Sequence, residues 1–310
     1  MSKTVGFSIV IPTFNRLEFL KQAISSVRNQ THADYEIIVV DDGSTDGTVD
    51  YLMSLGTLVK TLRQQHRGPA AARNLGVSQA IGTYIAFLDS DDFWFPWTLT
   101  ILQRVMQHHE QPSLISAATV EFHGNVPDIE EEDFASKYFT DFFQTAHDPG
   151  YVGSNALVVR RDIFNRAGGF DEAMFVGEDL DFCFRAGISR DFVRVVSPVM
   201  LAYRRHSGNM STAVLPLYSA AVELLTRERN GRYPGGRTRR KERWKLLSRT
   251  VRPVALSCIK CGLRHEAWRL FWKSLVMNMR LGRFRFLTGF LLYTLIGVRT
   301  TIGVRTTFSK

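Results

Sequence analysis

Cysteine is scarce in this sequence: Cys183, Cys258 and Cys261 are the only three among 310 residues. Three thiols exclude a disulfide-stapled scaffold, and so low a content is typical of proteins that fold in a reducing compartment. Cys258 and Cys261 have the spacing of a metal or redox motif, but no second pair and no strand-turn-helix pattern accompanies them. We therefore interpret both as small side chains buried in a helix.

Long hydrophobic runs are also missing. The most apolar stretch, Phe286 to Val298, has thirteen residues between two arginines, whereas a membrane-spanning helix needs about 20. The first five residues are not followed by a basic region and a small-residue cleavage site, so we expect no secretory signal. These features together predict a cytoplasmic protein.

Acidic residues are nearly absent from the last part of the chain. Residues 227–310 contain 21 Lys and Arg but three acids, a net charge of +18, whereas residues 1–226 contain 18 bases and 27 acids, a net charge of −9. A basic tail is attracted to an anionic surface, either membrane lipid or nucleic acid. No recognition module for nucleic acid is visible, so we expect no nucleic-acid partner.

The basic tail, residues 227–310, is predicted to be a helical C-terminal region. Aromatic and aliphatic residues are mixed with arginine and lysine between Arg264 and Arg285. This mixture favours helices that lie in the membrane interface, peripherally on its inner face, or a helical pair packed on the preceding domain. The sequence Ile296 to Thr301 is repeated as Ile302 to Thr307, which is too few copies for a solenoid, and we assign it no function.

The first 110 residues alternate between two kinds of pattern. Four apolar, β-branched runs predict buried strands, and helical periodicity separates them over residues 17–27 and 70–80. Strand and helix repeated in this order imply right-handed crossovers and a parallel sheet. The fold class is therefore α/β, with a mostly parallel central sheet flanked by helices and a helical C-terminal appendage. The four predicted strands are 7–12, 35–40, 57–62 and 83–88.

Polar residues follow three of these runs, where a ligand crevice forms in open α/β sheets. The most acidic of them is Asp89-Ser90-Asp91-Asp92, with three carboxylates in four residues. Carboxylates this close repel one another unless a cation lies among them, which points to a divalent-metal site. The alternative is an exposed acidic turn that caps the next helix. The shared position of the three polar groups favours the metal site.

Residues 111–226 contain further strand patterns at 113–122, 151–159, 191–196 and 199–203. An acidic segment at 128–133 is interpreted as a solvated loop or helix start. Glu178 and Asp179 follow Gly177 at a predicted helix N-terminus, where the helix dipole favours acids. Residues 204–211 form a polar loop after the last strand.

Five separated segments of the chain resemble family 2 glycosyltransferases with the GT-A fold, which is Rossmann-like. The resemblance covers roughly residues 5–212 and depends on the combination and order of the segments, since each alone is a weak signal. The segments are Ile9–Arg16, Val40–Asp46, Ala72–Asn74, Leu88–Asp92 and Gly177–Asp179.

The resemblance implies transfer of a sugar from a nucleotide diphosphate, usually UDP, to an acceptor hydroxyl, with inversion at the anomeric carbon. A hard cation on oxygen ligands would neutralise the leaving diphosphate, and Mn²⁺ or Mg²⁺ is implied. Asp89, Asp91 and Asp92 match the metal- and ribose-binding carboxylates, and which of them touches the metal is left open. His206 matches a histidine near the diphosphate or metal.

The resemblance also assigns the nucleotide and acceptor sites. Asp42 matches the residue that binds the uracil edge, Arg73 matches one that meets uracil or diphosphate, and the base is flanked by the segment after the first strand. That segment and the middle of the acidic turn complete the nucleotide-sugar site: Pro12, Thr13, Phe14, Asn15, Asp89, Ser90 and Asp91.

Direct displacement with inversion requires a base on the side opposite the leaving group. Asp179 matches the family's base, and Glu178 matches an orienting or acceptor-binding carboxylate. Helix capping alone is the alternative for both. Trp94, Asn155 and Arg185 are expected to shape or support the acceptor site.

We predict a catalytic domain at 1–226, with a nucleotide-sugar half at about 1–110 and an acceptor half at 111–226. The expected role is glycan or polysaccharide assembly, with a glycan or lipid-linked acceptor.

Arg240 to Trp244 resembles the QxxRW signature of processive synthases, but arginine replaces glutamine and spanning helices are missing, so we do not expect a processive enzyme. Two other functions were weighed: a sugar nucleotidyltransferase, which would need a GxGTR loop after the first strand, and a non-catalytic protein of the same fold. The sequence does not identify the donated sugar or the acceptor, because loops without a recognisable pattern make those contacts.

Overall fold

The computed structural model describes residues 6–32, 34–148, 156–206, 208–209 and 213–295. The chain divides into two compact units, Met1–Met210 and Ser211–Lys310. Position 226, the boundary expected from charge, lies inside a helix of the second unit, Val214–Arg229. The functional division of the chain into catalytic and C-terminal regions remains a prediction.

The first unit is built on eleven strands within the described residues. They are β1 (Phe7–Thr13), β2 (Tyr35–Asp41), β3 (Lys60–Arg63), β4 (Tyr84–Phe87), β5 (Phe93–Trp94), β6 (Leu114–Ser116), β7 (Thr119–Phe122), β8 (Ala135–Phe139), β9 (Leu157–Arg160), β10 (Phe192–Ser197) and β11 (Leu201–Arg204).

Eight of these strands form one sheet in the order β3-β2-β1-β4-β9-β6-β10-β8. β1 runs parallel to both β2 and β4, and β2 runs parallel to β3. β6 and β10 are also parallel, whereas β9 is antiparallel to both of its neighbours and β8 is antiparallel to β10. The predicted mixed α/β architecture around a large central sheet is confirmed.

Six helices lie in the first unit and four in the second, within the described residues. They are α1 (Leu17–Arg28), α2 (Thr48–Ser54), α3 (Pro69–Ser78), α4 (Thr98–His108), α5 (Arg161–Ala167), α6 (Glu178–Arg185), α7 (Val214–Arg229), α8 (Arg240–Lys260), α9 (Arg264–Arg280) and α10 (Phe284–Leu295).

Helix α3 packs closely against the parallel strands of the sheet. Every residue of β1 is buried, as expected of a strand covered on both faces. α3 packs directly on it: a Cβ atom added at Gly76 would lie 2.4 Å from Cγ1 of Val10. Only glycine allows this approach, which brings the N-terminal end of α3 to the carboxyl ends of β1 and β4.

Two strand predictions needed correction. The run 113–122 is not one strand, because the chain leaves the large sheet after β6 and enters a second sheet, β5-β11-β7, at β7. The run 57–62 begins as a 3-10 helix, Gly56–Leu58, in which Leu58 is exposed. β8 was not predicted. The acidic segment 128–133 is an exposed loop, as expected.

The described part of the second unit consists of helices, as predicted. α8 packs against α7 through a buried ion pair, in which Arg243 Nε lies 2.6 Å from Glu228 Oε2. α8 contacts α9 through the buried hydroxyl of Ser248, which lies 2.9 Å from Asn278 Oδ1. Cys258 is buried in α8, but Cys261 lies just beyond the helix end and is exposed, which corrects the expectation that both thiols are buried.

None of the helices in the described part of the chain combines the length and the apolar character that a membrane crossing requires. The repeated hexapeptide at 296–307 lies outside the described residues.

Candidate functional site

Three polar segments meet where β1, β2 and β4 end, because parallel neighbours place their carboxyl ends at one edge of the sheet. Thr13 pairs in register with Asp41, and the N–H of Asp42 donates to the carbonyl oxygen of Thr13 at 2.9 Å. The acidic turn, residues 89–92, begins two residues after β4. The predicted crevice is therefore the place where the chain brings these groups together.

The acidic turn holds a compact cluster of carboxylates. One oxygen from each of Asp89, Asp91 and Asp92 lies within 4.8 Å of the others. Asp91 and Asp92 are buried, and Asp89 is partly exposed. Ser90, between them, is buried as well. Three oxygen donors this close can hold a hard divalent cation, which the donor set fits in both number and chemistry.

Asp91 has two cationic or polar partners from distant parts of the chain. Arg16, the residue before α1, contacts Asp91 Oδ2 through Nη1 and donates through Nη2 to the carbonyl of Gly208 at 3.1 Å. His206 Nε2 lies 2.9 Å from the same oxygen. Because the N–H of Gly208 donates to Nδ1 of His206 at 3.1 Å, the proton of the neutral ring is on Nε2, which donates to Asp91.

Asp92 connects the acidic turn to the second sheet. Its Oδ1 accepts a hydrogen bond of 2.9 Å from the backbone N–H of Arg204 in β11. The Arg204 guanidinium donates to the carbonyl of Asp91 at 2.9 Å and lies between the rings of Phe19 and Phe122, 4.9 and 4.6 Å from their centroids. Arg204 thus holds both the backbone and a carboxylate of the turn.

Arg73 joins the acidic turn to the predicted catalytic helix. Its guanidinium is buried and donates to Asp89 at 2.6 Å and to Glu178 at 2.7 Å. Burial lowers the pKa of Arg73, but the charges of Asp89 and Glu178 outweigh this effect and raise the pKa above its usual range, so the side chain stays charged. Burial raises the pKa of Glu178 to about 7, against the lowering effect of Arg73.

Asp179 lies beside this pair at the start of α6, where Gly177 adopts a left-handed conformation with φ of 82°. The Asp179 side chain is half-buried, and its Oδ1 accepts from the N–H of Leu180 at 2.6 Å. The negative charge of Asp179 contributes to the raised pKa of Arg73, so Asp179 lies near the guanidinium that binds the acidic turn. The structure brings Asp179, Glu178, Arg73 and Asp89 into one neighbourhood.

Asp42 is buried and meets donors from the loop between β3 and α3. Gln64 Nε2 and the N–H of Arg67 donate to Oδ1 at 2.6 and 2.9 Å, and the N–H of Gly68 donates to Oδ2 at 2.9 Å. His66 Nδ1 also lies 2.8 Å from Oδ2. Asp42 therefore shapes this loop, and a uracil edge would have to share these oxygens.

The predicted base-flanking segment lies at the same edge. The exposed ring of Phe14 stacks on His66, with centroids 4.0 Å apart. Thr13 is buried, and its hydroxyl has no hydrogen-bond partner among the described residues. Pro12 is buried inside β1, and Asn15, at φ of 50°, accepts at 2.8 Å from the N–H of Thr45. A flat aromatic stack beside an unpaired hydroxyl suits a nucleobase.

The predicted acceptor residues are not brought together in the same way. Trp94, two residues after the acidic turn, is buried in the hydrophobic core, a position compatible with a supporting role. Arg185 pairs with Asp181 at 2.7 Å on α6. Asn155 lies outside the described residues. The acceptor roles of these residues remain predictions.

Comparison with known proteins decides the family of the chain. Residues 8–167, more than half of the sequence, match the family described as Glycosyl transferase family 2. The chain belongs to glycosyltransferase family 2. The match includes the family 2 segments around Thr13, Asp42, Arg73 and the acidic turn, and it ends before Asp179 and His206.

Curated relatives of this family 2 chain are similar over different lengths. An uncharacterized glycosyltransferase of Rickettsia felis is 46% identical over 105 residues, which is 33% of this chain and 17% of the relative. The chain thus matches about a sixth of that relative's length. The uncharacterized glycosyltransferase EpsJ of Bacillus subtilis is 27% identical over 234 residues, covering 71% of this chain and 67% of EpsJ.

Solved structures confirm the GT-A fold of the family 2 chain. Residues 1–349 of S. aureus TarS, crystallised in complex with UDP-GlcNAc, superpose with a TM-score of 0.58 at 18% identity, covering 89% of this chain and 92% of that fragment. The likeness at this identity concerns the fold.

Four site residues of the family 2 chain carried no prediction. Arg16 lies inside the first family segment, so its position was visible but its contact with Asp91, 75 residues away, was not. Arg204 is the last residue of a short strand, and nothing in the local pattern signals its contacts with Asp91 and Asp92. His66 and Gln64 had no signal at all.

Proposed function

We propose that this chain transfers a sugar from a UDP-sugar to an acceptor hydroxyl with inversion, assisted by Mn²⁺ or Mg²⁺. The observation that carries the proposal is the Arg73 bridge, which ties Asp89 of the acidic turn to Glu178 beside Asp179. A metal- and diphosphate-binding turn and a half-buried carboxylate on a neighbouring helix are the two groups that direct displacement requires.

In the proposed reaction the acceptor oxygen attacks the anomeric carbon as the bond from that carbon to the diphosphate oxygen breaks. Asp179 takes the proton of the acceptor hydroxyl, and UDP leaves with the bonding electrons. Glu178, held by Arg73, orients Asp179 or the acceptor. The charge repulsion between Asp179 and the acidic turn is limited by the buried guanidinium between them.

Asp89, Asp91 and Asp92 of the acidic turn would hold the metal ion, and Asp92 also orients the turn through Arg204. His206, which donates to Asp91, would lie beside the ion and the diphosphate. A bound divalent cation would neutralise charge on the leaving diphosphate. Thr13 and Phe14 would flank the uracil. Asp42, which is hydrogen-bonded to the loop of residues 64–68, would bind the uracil edge, and Arg73 would donate to a nucleotide oxygen. For Arg73 this is supported by its Nε, which has no partner among the described residues.

The acceptor in this proposal is a glycan or lipid-linked sugar used in polysaccharide assembly. The C-terminal unit contacts the inner face of the membrane, where a lipid-linked acceptor is presented, and the chain works in the cytoplasm. Membership of family 2 favours sugar transfer over the nucleotidyltransferase alternative.

A screen of nucleotide-sugars tests the proposal. We expect UDP-sugars with Mn²⁺ to raise the melting temperature of the full chain more than GDP- or CMP-sugars do, and one of them to release UDP. Stabilisation without any turnover, with acceptors included, would support the non-catalytic alternative. Stabilisation by GDP-sugars alone would overturn the UDP assignment.

A further inference from the structure

The second unit leaves part of its apolar surface in water. On α9, Trp272, Val276 and Met279 are 61%, 59% and 51% exposed. Spacings of four and three residues place these side chains on one face of the helix. Phe284, 60% exposed, follows at the start of α10. We call these four residues the apolar stripe.

The stripe is not needed for the core of its own unit. The opposite side of α9 is buried and includes Leu270, Phe271 and Met277. The ring of Phe271 stacks on Phe290 of α10, with centroids 4.6 Å apart, and Arg264 donates to the carbonyl of Thr294 at 3.0 Å. α9 and α10 are therefore a fixed pair, and exposed apolar side chains on a fixed pair mark an interaction surface.

The charge around the stripe indicates its partner. Between residues 264 and 295 the chain has six Lys and Arg and a single acid, Glu266. Arg269 and Lys273 are exposed on α9, three positions before Trp272 and Val276, so each is their neighbour on the helix surface. Arg285 is exposed next to Phe284. The apolar stripe is therefore bordered by exposed basic side chains.

We propose that the apolar stripe docks on an anionic phospholipid bilayer. Trp272, Val276, Met279 and Phe284 enter the boundary between headgroups and acyl chains, and Arg269, Lys273 and Arg285 bind lipid phosphates. A partly exposed tryptophan between basic residues suits this boundary, which is apolar on one side and wet on the other. The docking rests on the proposed function, in which a lipid-linked acceptor is presented at the membrane, and it names the lipid surface that the chain would bind.

Vesicle flotation with the full chain tests the docking. We expect binding to vesicles of equal parts phosphatidylcholine and phosphatidylglycerol, weak binding to phosphatidylcholine alone, and loss of binding at high salt. Brominated acyl chains should quench tryptophan fluorescence in the bound protein. In Trp272→Ser this quenching should largely disappear.

Two sets of variants separate the apolar and basic contributions. Trp272→Ser with Val276→Ser should weaken vesicle binding about tenfold or more. Arg269→Gln, Lys273→Gln and Arg285→Gln together should weaken it on the order of a hundredfold. The matched control, Met53→Ser with Leu58→Ser, removes two apolar residues of the first unit that are also more than half exposed, and it should bind as the parent does. Circular dichroism confirms that each variant is folded.

Several results would overturn the inference. These are equal binding to both vesicle types, unchanged binding by the two sets of variants, or a dimer in sedimentation that the Trp272 and Val276 changes dissolve while no vesicle binding occurs. Binding of RNA in place of vesicles would do the same. Stabilisation by UDP-sugar is measured without vesicles, so failure of docking and failure of the proposed reaction are seen separately.

Discussion

Arg73 on α3 donates a hydrogen bond of 2.7 Å to Glu178 at the start of α6, 105 residues further along the chain, and both side chains are buried. The bond joins the parts of the chain predicted to bind the donor and the acceptor. Because Asp89 shares the same guanidinium, the position of the acidic turn depends on the position of α6.

Arg73→Gln should destabilise the chain by about 3–5 kcal/mol, because it leaves two carboxylates without their buried cation. Urea unfolding of the full chain measures this change. Lys21→Gln, which removes the exposed ion pair of Lys21 with Glu18, is the control and should change the free energy of unfolding by at most about 1 kcal/mol. Equal effects of the two substitutions would contradict the structural role of Arg73.

Asp179→Asn should lower the rate of sugar transfer by about 10²- to 10⁴-fold, because asparagine cannot accept the acceptor proton. Binding of UDP, measured by calorimetry, should stay nearly unchanged. Glu130→Gln, in the exposed acidic loop, removes a carboxylate elsewhere and should leave transfer intact. If Asp179→Asn turns over at the parent rate, the base is a different residue.

Changes in the acidic turn should separate metal binding from stability. Asp91→Asn should weaken Mn²⁺-dependent UDP binding by roughly tenfold or more, since one charged ligand is lost. Asp92→Ala should also remove this binding and in addition lower stability by about 1–3 kcal/mol, because the buried N–H of Arg204 loses its acceptor. Calorimetry with and without Mn²⁺ measures both, and unchanged binding in both variants would refute the metal assignment.

Arg16→Gln should increase the affinity of the chain for Mn²⁺ alone by roughly tenfold, because the guanidinium on Asp91 repels a second cation at that carboxylate. The paramagnetic signal of free Mn²⁺ measures this affinity without nucleotide or turnover. Arg28→Gln makes the same charge change at the last residue of α1 and serves as the control. An affinity unchanged or lowered by Arg16→Gln would show that Arg16 does not compete with the ion.

Asp46 should make stability depend on acidic pH. Burial raises its pKa, but hydrogen bonds from Thr48 and from the N–H of Leu17 together outweigh this effect and lower the pKa below its usual value. The stability that Asp46 contributes is therefore present above its unfolded pKa and is lost as the pH falls through the lowered value. Asp46→Ala should lose about 1 kcal/mol at pH 7.

Thermal unfolding of the parent and of Asp46→Ala between pH 7 and pH 3 checks this prediction. The difference between them should shrink on acidification, whereas Asp50→Asn, an exposed acid of α2, should follow the parent throughout. A difference that is constant over the whole range would show that the Asp46 charge has no part in it.

The parallel half of the fold could be read from the sequence because its signals are local. β1, β2 and β4 are continuous buried runs, and the polar residues after them follow from the rule that ligands bind at strand ends. β8 was not predicted because its residues are mostly exposed and show no hydrophobic pattern of a buried strand; only its pairing with β10 makes it a strand. The run 113–122 was misread because a change of sheet leaves no mark in hydrophobicity.

The sequence predicted which residues belong to the candidate site better than it predicted the contacts between them. Asp89, Glu178 and Asp179 were named from their segments, but their connection through Arg73 depends on how α3 and α6 pack. The contacts of Arg16 and Arg204 join residues at least 75 positions apart, a distance over which periodicity carries no information. Whether Trp94 shapes or supports the acceptor site stays a prediction, because an aromatic residue after a strand end can belong to the core or to a ligand site.

The bond from Arg204 to Asp92 has a consequence for the growing chain. The two residues are 112 positions apart, so at cellular rates of synthesis Arg204 is added on the order of ten seconds after Asp92. During this interval the nascent polypeptide already contains the three carboxylates of the acidic turn but not the strand that orients Asp92. A newly made chain therefore acquires its central strands before the acidic turn has its final geometry, which requires β11.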